Sequence, residues 1–164
     1  MPSTAEDDRS PAVTVVLPDE MALTPLARRL VEALPSSGFV TLEGDLGAGK
    51  TTFVKAVAAA IGIDPVEVVS PTFGLIHVHD IPPRAGGPER LVHADLYRLW
   101  GAGDLAEIGW DDATAGAAWV FVEWPQRITP ALPADRLEIT ITIDSETSRT
   151  FTFTPRGGFR ISNL

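Results

Sequence analysis

The spacing of hydrophobic positions changes several times along the chain, and each change predicts a new element. Residues 12–17 form a β-branched apolar run that is typical of a strand. Apolar side chains then recur at helical spacing as far as Leu34, which predicts an amphipathic helix. We expect that helix to begin either at Asp19 or at Thr24, where threonine followed by Pro25 fits an N-cap and a first-turn proline.

The next strand and helix enclose a glycine-rich loop. Residues 39–42 suit a buried strand, and residues 53–61 repeat apolar side chains at helical spacing before Gly62 ends the helix. Between them, residues 44–51 fit G-x-x-x-x-G-K-[ST], the pattern of a phosphate-binding loop. Glycines let backbone N–H groups approach phosphates closely, and the following helix adds its positive end. Lys50 is one of only two lysines in the chain, which makes a chance match less probable.

The rest of the chain predicts a mixed sheet. The remaining apolar runs predict three strands, at 75–78, within 91–99 and at 118–122. Between the second and third of these strands we expect a short helix within 101–112, with Leu105 and Ile108 facing inward. Residues 82–88 are rich in proline and glycine and predict a surface loop. Residues 137–143 and 151–153 alternate with period two around a polar turn, which predicts an antiparallel hairpin with one wet face.

These elements predict the fold class. It is α/β, a three-layer sandwich like that of P-loop NTPases, with a mixed sheet that is parallel around the loop and has an antiparallel C-terminal hairpin. The chain has 164 residues, of which 45% are hydrophobic, enough for one domain with a sizeable core. We expect a flexible tail over residues 1–11 and a single domain over residues 12–164.

Composition narrows the choice of compartment and partners. No apolar run is long enough to span a bilayer, the N-terminus lacks the pattern of a signal peptide, and cytoplasm is the expected location. The chain contains no cysteine, which excludes disulfides and thiolate chemistry. The net charge of −9 and the scattered arginines argue against unaided binding to nucleic acid, since phosphate contacts require a basic surface. If RNA is involved, another protein is expected to hold it.

Two acids follow predicted strands and are candidates for the chemistry. Glu123 ends the most hydrophobic strand, as a Walker B acid does, and Asp95 ends a weaker one. Thr51 would bind Mg²⁺ through its hydroxyl, and Lys50 would reach the terminal phosphates. Thr72 lies where nucleotide switches place a threonine that senses the terminal phosphate, although Ser-Pro-Thr also fits a simple turn.

The histidines and tryptophans offer one further candidate residue. His77, His79 and His93 lack a further histidine or cysteine that would complete a metal site, and we interpret them as structural or solvated. Trp124 stands out among the four tryptophans because it directly follows Glu123.

Four motifs together carry a resemblance to a known family. They are residues 44–52 (GDLGAGKTT), 70–73 (SPTF), 93–99 (HADLYRL) and 122–126 (VEWPQ). In order and spacing they resemble the TsaE (YjeE) family, small bacterial P-loop ATPases required for making threonylcarbamoyladenosine in tRNA. The resemblance runs from about Leu17 to the hairpin. The Pro/Gly-rich stretch 81–90 matches no feature of it.

The resemblance implies ATP and Mg²⁺ as cofactors and assigns residues to them. Mg²⁺ would be held by Thr51 and Glu123, while Asp95 and Trp124 would sit beside the phosphates. The Asp19 region would contact the base side of ATP, and Arg149 of the hairpin would approach the nucleotide. The full set of expected nucleotide-binding residues is Asp19, Gly47, Ala48, Gly49, Lys50, Thr51, Thr52, Thr72, Trp124 and Arg149.

The resemblance also implies partner proteins. Two other hypotheses about the function stay open. The partners would be TsaD, which transfers the threonylcarbamoyl group, and TsaB, with tRNA reached only through that complex and no membrane involved. A small-molecule P-loop kinase is one alternative, but the sequence between the loop and the hairpin has no arginine-rich lid. A nucleotide-dependent binding switch is the other, and the guanine-reading [NT]-K-x-D motif of GTPases is absent from the sequence.

Overall fold

The alternating and continuous apolar runs form strands of one mixed sheet. The computed structural model of the chain describes residues 11–69, 75–116, 118–161 and 163–164. Within these residues the sheet has seven strands: β1 (Val13–Leu17), β2 (Gly38–Glu43), β3 (Ile76–Asp80), β4 (Arg90–Asp95), β5 (Ala118–Glu123), β6 (Arg136–Ile143) and β7 (Arg149–Arg156). Their spatial order is β1-β7-β6-β2-β5-β4-β3.

Burial explains the place of each strand in this order. All six residues of β5 are buried, as a strand covered on both faces requires, and β5 runs parallel to β2 and β4. β2 is also parallel to β6 on its other side. β6 and β7 form the predicted antiparallel hairpin and alternate buried and more exposed residues, and β1 adds to β7 antiparallel at the edge. β3 pairs antiparallel with β4 at the opposite edge, so residues 82–88 connect these two strands.

Helices cover both faces of the sheet. Three α-helices lie in the described part of the chain: α1 (Leu23–Ala33), α2 (Lys50–Ala60) and the short α3 (Trp110–Thr114). The same residues contain four 3₁₀ segments: Glu20–Ala22, Pro65–Glu67, Ala102–Ile108 and Pro125–Ala131. None of the helices in the described residues is long and apolar enough to cross a membrane.

Two hydrophobic cores show the three layers. The larger core joins α1 and α2 to one face of the sheet, through side chains such as Leu30, Phe53 and Phe121. The smaller core joins α3 and two 3₁₀ segments to the other face, through Leu105 and Ile128 among others. The predicted fold class, a P-loop-type α/β sandwich with an antiparallel C-terminal hairpin, is confirmed.

Two element boundaries differ from the predictions. A 3₁₀ turn, Glu20–Ala22, runs directly into α1 at Leu23, so Thr24 lies inside the helix and is not its N-cap. Pro25 fits there because N–H groups of the first turn have no partner within the helix. The helix expected between 101 and 112 is divided at Gly109, whose left-handed φ of 71° ends the 3₁₀ segment and precedes α3.

Candidate nucleotide site

The glycine-rich loop joins the end of β2 to the start of α2. Gly49 is the N-cap of α2 and has a φ of 102°, a left-handed conformation that favours glycine. Gly44 is needed for a different reason, because a Cβ there would lie 2.8 Å from the backbone oxygen of Ile141 on β6. The loop is therefore fixed between its own helix and a strand from the far end of the chain.

Lys50 is buried at the first turn of α2, with 6% of its surface exposed. Its Nζ donates a hydrogen bond to the Gly44 carbonyl at 2.5 Å and lies 4.0 Å from the centroid of the Trp124 ring. Burial lowers the pKa of Lys50, and nearby carboxylates oppose that shift, in order of size Glu123, Asp95 and Asp45. Lys50 thus contacts an indole face and lies near enough to three carboxylates for their charge to affect its pKa.

Glu123 ends β5 and is 3% exposed, so its carboxylate needs hydrogen-bond donors. Thr51 Oγ1 lies 2.9 Å from Glu123 Oε2 and 3.1 Å from Oε1. His93 Nε2 lies 2.6 Å from the same Oε2. The threonine of the P-loop helix and the acid at the strand end are therefore in direct contact.

Asp95 and Trp124 flank this contact. Asp95 is paired in register with Glu123 on the neighbouring strand, and its carboxylate accepts from the Tyr97 N–H at 3.1 Å. Trp124 has a left-handed φ of 60°, an uncommon conformation for a bulky residue. The Trp124 ring lies 4.9 Å from that of Tyr97, centroid to centroid, so it is enclosed between Lys50 and Tyr97.

A cavity of about 470 Å³ opens beside the loop. Its walls include Gly47, Ala48, Gly49 and Thr52 on one side and Asp19, Met21, Leu23, Arg149 and Phe151 on the other. The volume lies within the range of small-molecule sites, and the walls combine apolar surface with a few polar groups.

Arg149 ties the hairpin to this loop. Its Nε donates to the Ala48 carbonyl at 3.2 Å, and its Nη1 donates to the Ser145 carbonyl at 2.8 Å. The cation is consequently held at the mouth of the cavity by backbone from both the loop and the hairpin turn.

The chain is similar in sequence to a known protein family. A family model described as threonylcarbamoyl adenosine biosynthesis protein TsaE matches residues 17–151. The chain belongs to the TsaE family. The matched stretch includes all four motifs and the hairpin turn, so the resemblance inferred from the motifs is confirmed.

Individual relatives give the same result. The tRNA threonylcarbamoyladenosine biosynthesis protein TsaE of Bacillus subtilis is 39% identical over 130 residues, covering 79% of this chain and 77% of the relative. Its namesake in Streptomyces coelicolor is 38% identical over 116 residues, covering 71% and 76%. The crystal structure of Bacillus subtilis YdiB superposes with a TM-score of 0.67 at 31% identity, covering 90% of this chain and 87% of that one.

Most of the predicted TsaE site residues lie together. Lys50, Thr51, Glu123 and Trp124 form one contact network, and Asp95 is close enough to Lys50 to influence its pKa. Asp19 and Arg149, which no distinctive motif marked, both line the cavity. Thr72 lies outside the described residues. The nucleotide-binding roles of all these residues stay predictions.

One residue of the network was missed by the sequence reasoning. His93, interpreted as structural or solvated, is fully buried and contacts Glu123. The sequence did contain a signal. His93 lies two residues before Asp95, so the two side chains share one face of β4, the strand beside β5. No group of three or more His, Cys, Asp and Glu side chains among the described residues is arranged to hold a metal ion.

Proposed function

We propose that this protein binds ATP with Mg²⁺ at the P-loop and hydrolyses it, in support of threonylcarbamoyladenosine modification of tRNA. The contact between Thr51 and Glu123 is the observation that carries this proposal. It joins the hydroxyl that P-loop proteins place on Mg²⁺ to an acid at the end of the adjacent strand, as in other nucleotide hydrolases. The name of the family supplies the pathway.

The loop residues fit a polyphosphate. Backbone N–H groups of the loop and of the first turn of α2 supply donors and positive potential, apart from that of Ala48, which donates to the Asp45 carbonyl at 3.0 Å. Lys50 exchanges its contact with the Gly44 carbonyl for phosphate oxygens, which are better partners for a buried ammonium. The adjoining cavity, with Asp19 and the apolar Met21 and Leu23, then receives the nucleoside.

The oxygen donors at Thr51 and Glu123 fit Mg²⁺, which binds one or two protein side chains together with phosphates and water. When bound, the metal would neutralise charge that develops on the phosphate oxygens. Glu123 would hold the metal or orient the attacking water, and Asp95 is the second acid that could share this work. Trp124 covers Lys50 and limits the access of solvent to it.

Turnover is expected to need protein partners. Efficient phosphoryl transfer commonly uses an additional cation on the transferred group, worth about 10³–10⁵ in rate. Arg149 is already bound to carbonyls of the loop and the hairpin turn. With a net charge of −9, the chain is a poor direct ligand for tRNA. We therefore assign TsaD and TsaB as the proteins that complete the site and carry the tRNA.

Calorimetry with MgATP tests the binding step. Lys50→Ala should weaken ATP binding by about tenfold or more, because it removes a buried cation from the loop. Lys55→Ala is the matched control, since Lys55 is the other lysine of the chain and lies further along α2. Equal ATP affinity in the two variants would reject the phosphate-binding assignment. Tighter GTP than ATP binding would favour a binding switch.

Phosphate release tests the partner requirement. It is measured for the protein alone, with tRNA alone, and with TsaB and TsaD at fixed Mg²⁺. We expect slow release alone, no change with tRNA, and a clear increase with the two proteins. Full turnover alone, unchanged by the pair, would contradict the proposal, and transfer of phosphate to a small acceptor would identify a kinase.

A further inference from the structure

The buried carboxylate of Glu123 accepts from two side chains that belong to different elements. Thr51 Oγ1 approaches from α2, and His93 Nε2 approaches from β4. His93 is fully buried and Glu123 is 3% exposed, so solvent is nearly excluded from both. A carboxylate buried to this degree is stabilised by every donor that it keeps.

The two donors differ in what nucleotide binding would do to them. Thr51 is the residue whose hydroxyl is expected on Mg²⁺: its lone pairs would face the metal, while its O–H can still donate to Glu123. His93 lies on a strand, in register opposite Phe121 of β5, and has no such second role. Among the described residues, His93 is therefore the donor to Glu123 Oε2 that has no part in binding the metal itself.

We propose that His93 is a positioning residue for Glu123: it holds Oε2 through Nε2–H, so that Oε1 would remain available to a bound metal or to the attacking water. This inference rests on the proposed Mg²⁺-dependent ATP hydrolysis. His93 touches neither nucleotide nor metal, and it acts by fixing the orientation of a carboxylate, as outer-shell partners of metal ligands do.

The ring of His93 makes this proposal testable by substitution. A carboxylate only accepts, so Nε2 is the donor and carries the proton. The other nitrogen, Nδ1, has no hydrogen-bond partner among the described residues. A single N–H at the place of Nε2 is therefore what the site requires, and a glutamine amide can supply one from a similar distance along its side chain.

Three variants separate positioning from packing. His93→Leu fills the space without a donor, and His93→Gln restores a donor. His77→Leu is the matched control, because His77 pairs with His93 in register on β3 and is not bonded to Glu123. Thermal unfolding of each variant reports any loss that comes from packing alone.

Three quantities are measured. Electron paramagnetic resonance measures Mn²⁺ binding in the presence of ATP. The other two are ATP binding in EDTA and the Mg²⁺ dependence of phosphate release. We expect His93→Leu to weaken Mn²⁺ binding and to lower the turnover number by about 10–100-fold, the range measured for such outer-shell partners. ATP binding in EDTA should not change. His93→Gln should recover most of both losses, and His77→Leu should show neither.

Two outcomes would overturn the proposal. One is unchanged Mn²⁺ binding and Mg²⁺ dependence in His93→Leu. The other is a His93→Gln protein as defective as His93→Leu, which would assign the loss to packing. Failure of the proposed function looks different, because then the unmodified protein would itself neither bind nor hydrolyse MgATP.

Discussion

The two halves of the sheet differ in how deeply they bury a charged side chain. In the parallel half, Glu123 is buried with His93 and Thr51 as donors. In the antiparallel half, Glu138 of β6 pairs with Arg136 and Arg156 on a partly exposed face. Exposed pairs of this kind contribute about 0–1 kcal/mol, whereas a buried carboxylate is costly unless it is fully bonded. The charged side chain of Glu123 is therefore buried at the candidate site, whereas that of Glu138 in the antiparallel half remains in contact with water.

Replacing one glutamate in each half gives the largest expected contrast. Glu123→Gln keeps the shape and removes the charge, so partner-stimulated ATP hydrolysis should fall by about 10²-fold or more while ATP binding changes little. Glu138→Gln, the matched control, should hydrolyse ATP at the normal rate. Phosphate release and calorimetry measure the two effects. Normal turnover in Glu123→Gln would transfer the role to Asp95.

Substitutions in the antiparallel half should lower the stability of the protein rather than its rate of ATP hydrolysis. Phe153 of β7 is fully buried, so Phe153→Ala should lower the free energy of unfolding by about 3–5 kcal/mol. Thr152→Ala, one residue earlier on the opposite face of β7, is the control and should cost much less. Urea unfolding measures both. Similar losses in the two variants would show that the core does not depend on this face of the hairpin.

Arg149 is the exception that joins the two halves, since it is on β7 but bonds to the Ala48 carbonyl of the loop. Arg149→Ala should weaken ATP binding by about tenfold or more, because the loop loses the hydrogen bond from Arg149 to the Ala48 carbonyl, and hydrogen bonds to charged groups are worth about 1.5–3 kcal/mol. Arg156→Ala, at the other end of the same strand, should leave ATP affinity unchanged. Calorimetry measures both, and equal affinities would remove Arg149 from the site.

The features that were predicted from the sequence are those encoded by neighbouring residues. Helical and alternating periodicity gave the elements, and the loop could be recognised because its glycines, Lys50 and Thr51 are contiguous. Periodicity reports which face of a strand is buried, but not which strand lies beside it. The pairing of β2 with β6 therefore had no local signal.

The same limit applies to the site. His93 and Glu123 are 30 residues apart, and Arg149 and Ala48 are 101 apart, so their contacts depend on strand order rather than on any motif. The resemblance to the TsaE family supplied Arg149, which the pattern alone did not mark. His93 lies inside the motif 93–99, but its contact with Glu123 became evident only from the pairing of β4 with β5.

The smallest expected effect is a pH dependence at the β3 edge. The pKa of His79 is lowered by burial, and then by His77 and His93, while Glu67 opposes the shift. As pH falls below the ordinary value near 6.5, the unfolded chain takes up a proton before the folded one does, so stability decreases. His79→Leu should make this decrease shallower between pH 7.5 and about 5.5. Urea midpoints at several pH values measure it, and identical slopes would contradict the shift.

The stacking of Trp124 on Lys50 has a practical consequence. An indole with an ammonium 4.0 Å from its centroid senses that charge, and the proposed movement of Lys50 toward phosphate would change the emission of the indole. The other tryptophans differ in setting: Trp119 is bonded to the Pro35 carbonyl, Trp110 is buried in the smaller core, and Trp100 is exposed. If nucleotide binds as proposed, Trp124 would therefore be an intrinsic optical reporter of that binding, one that requires no label.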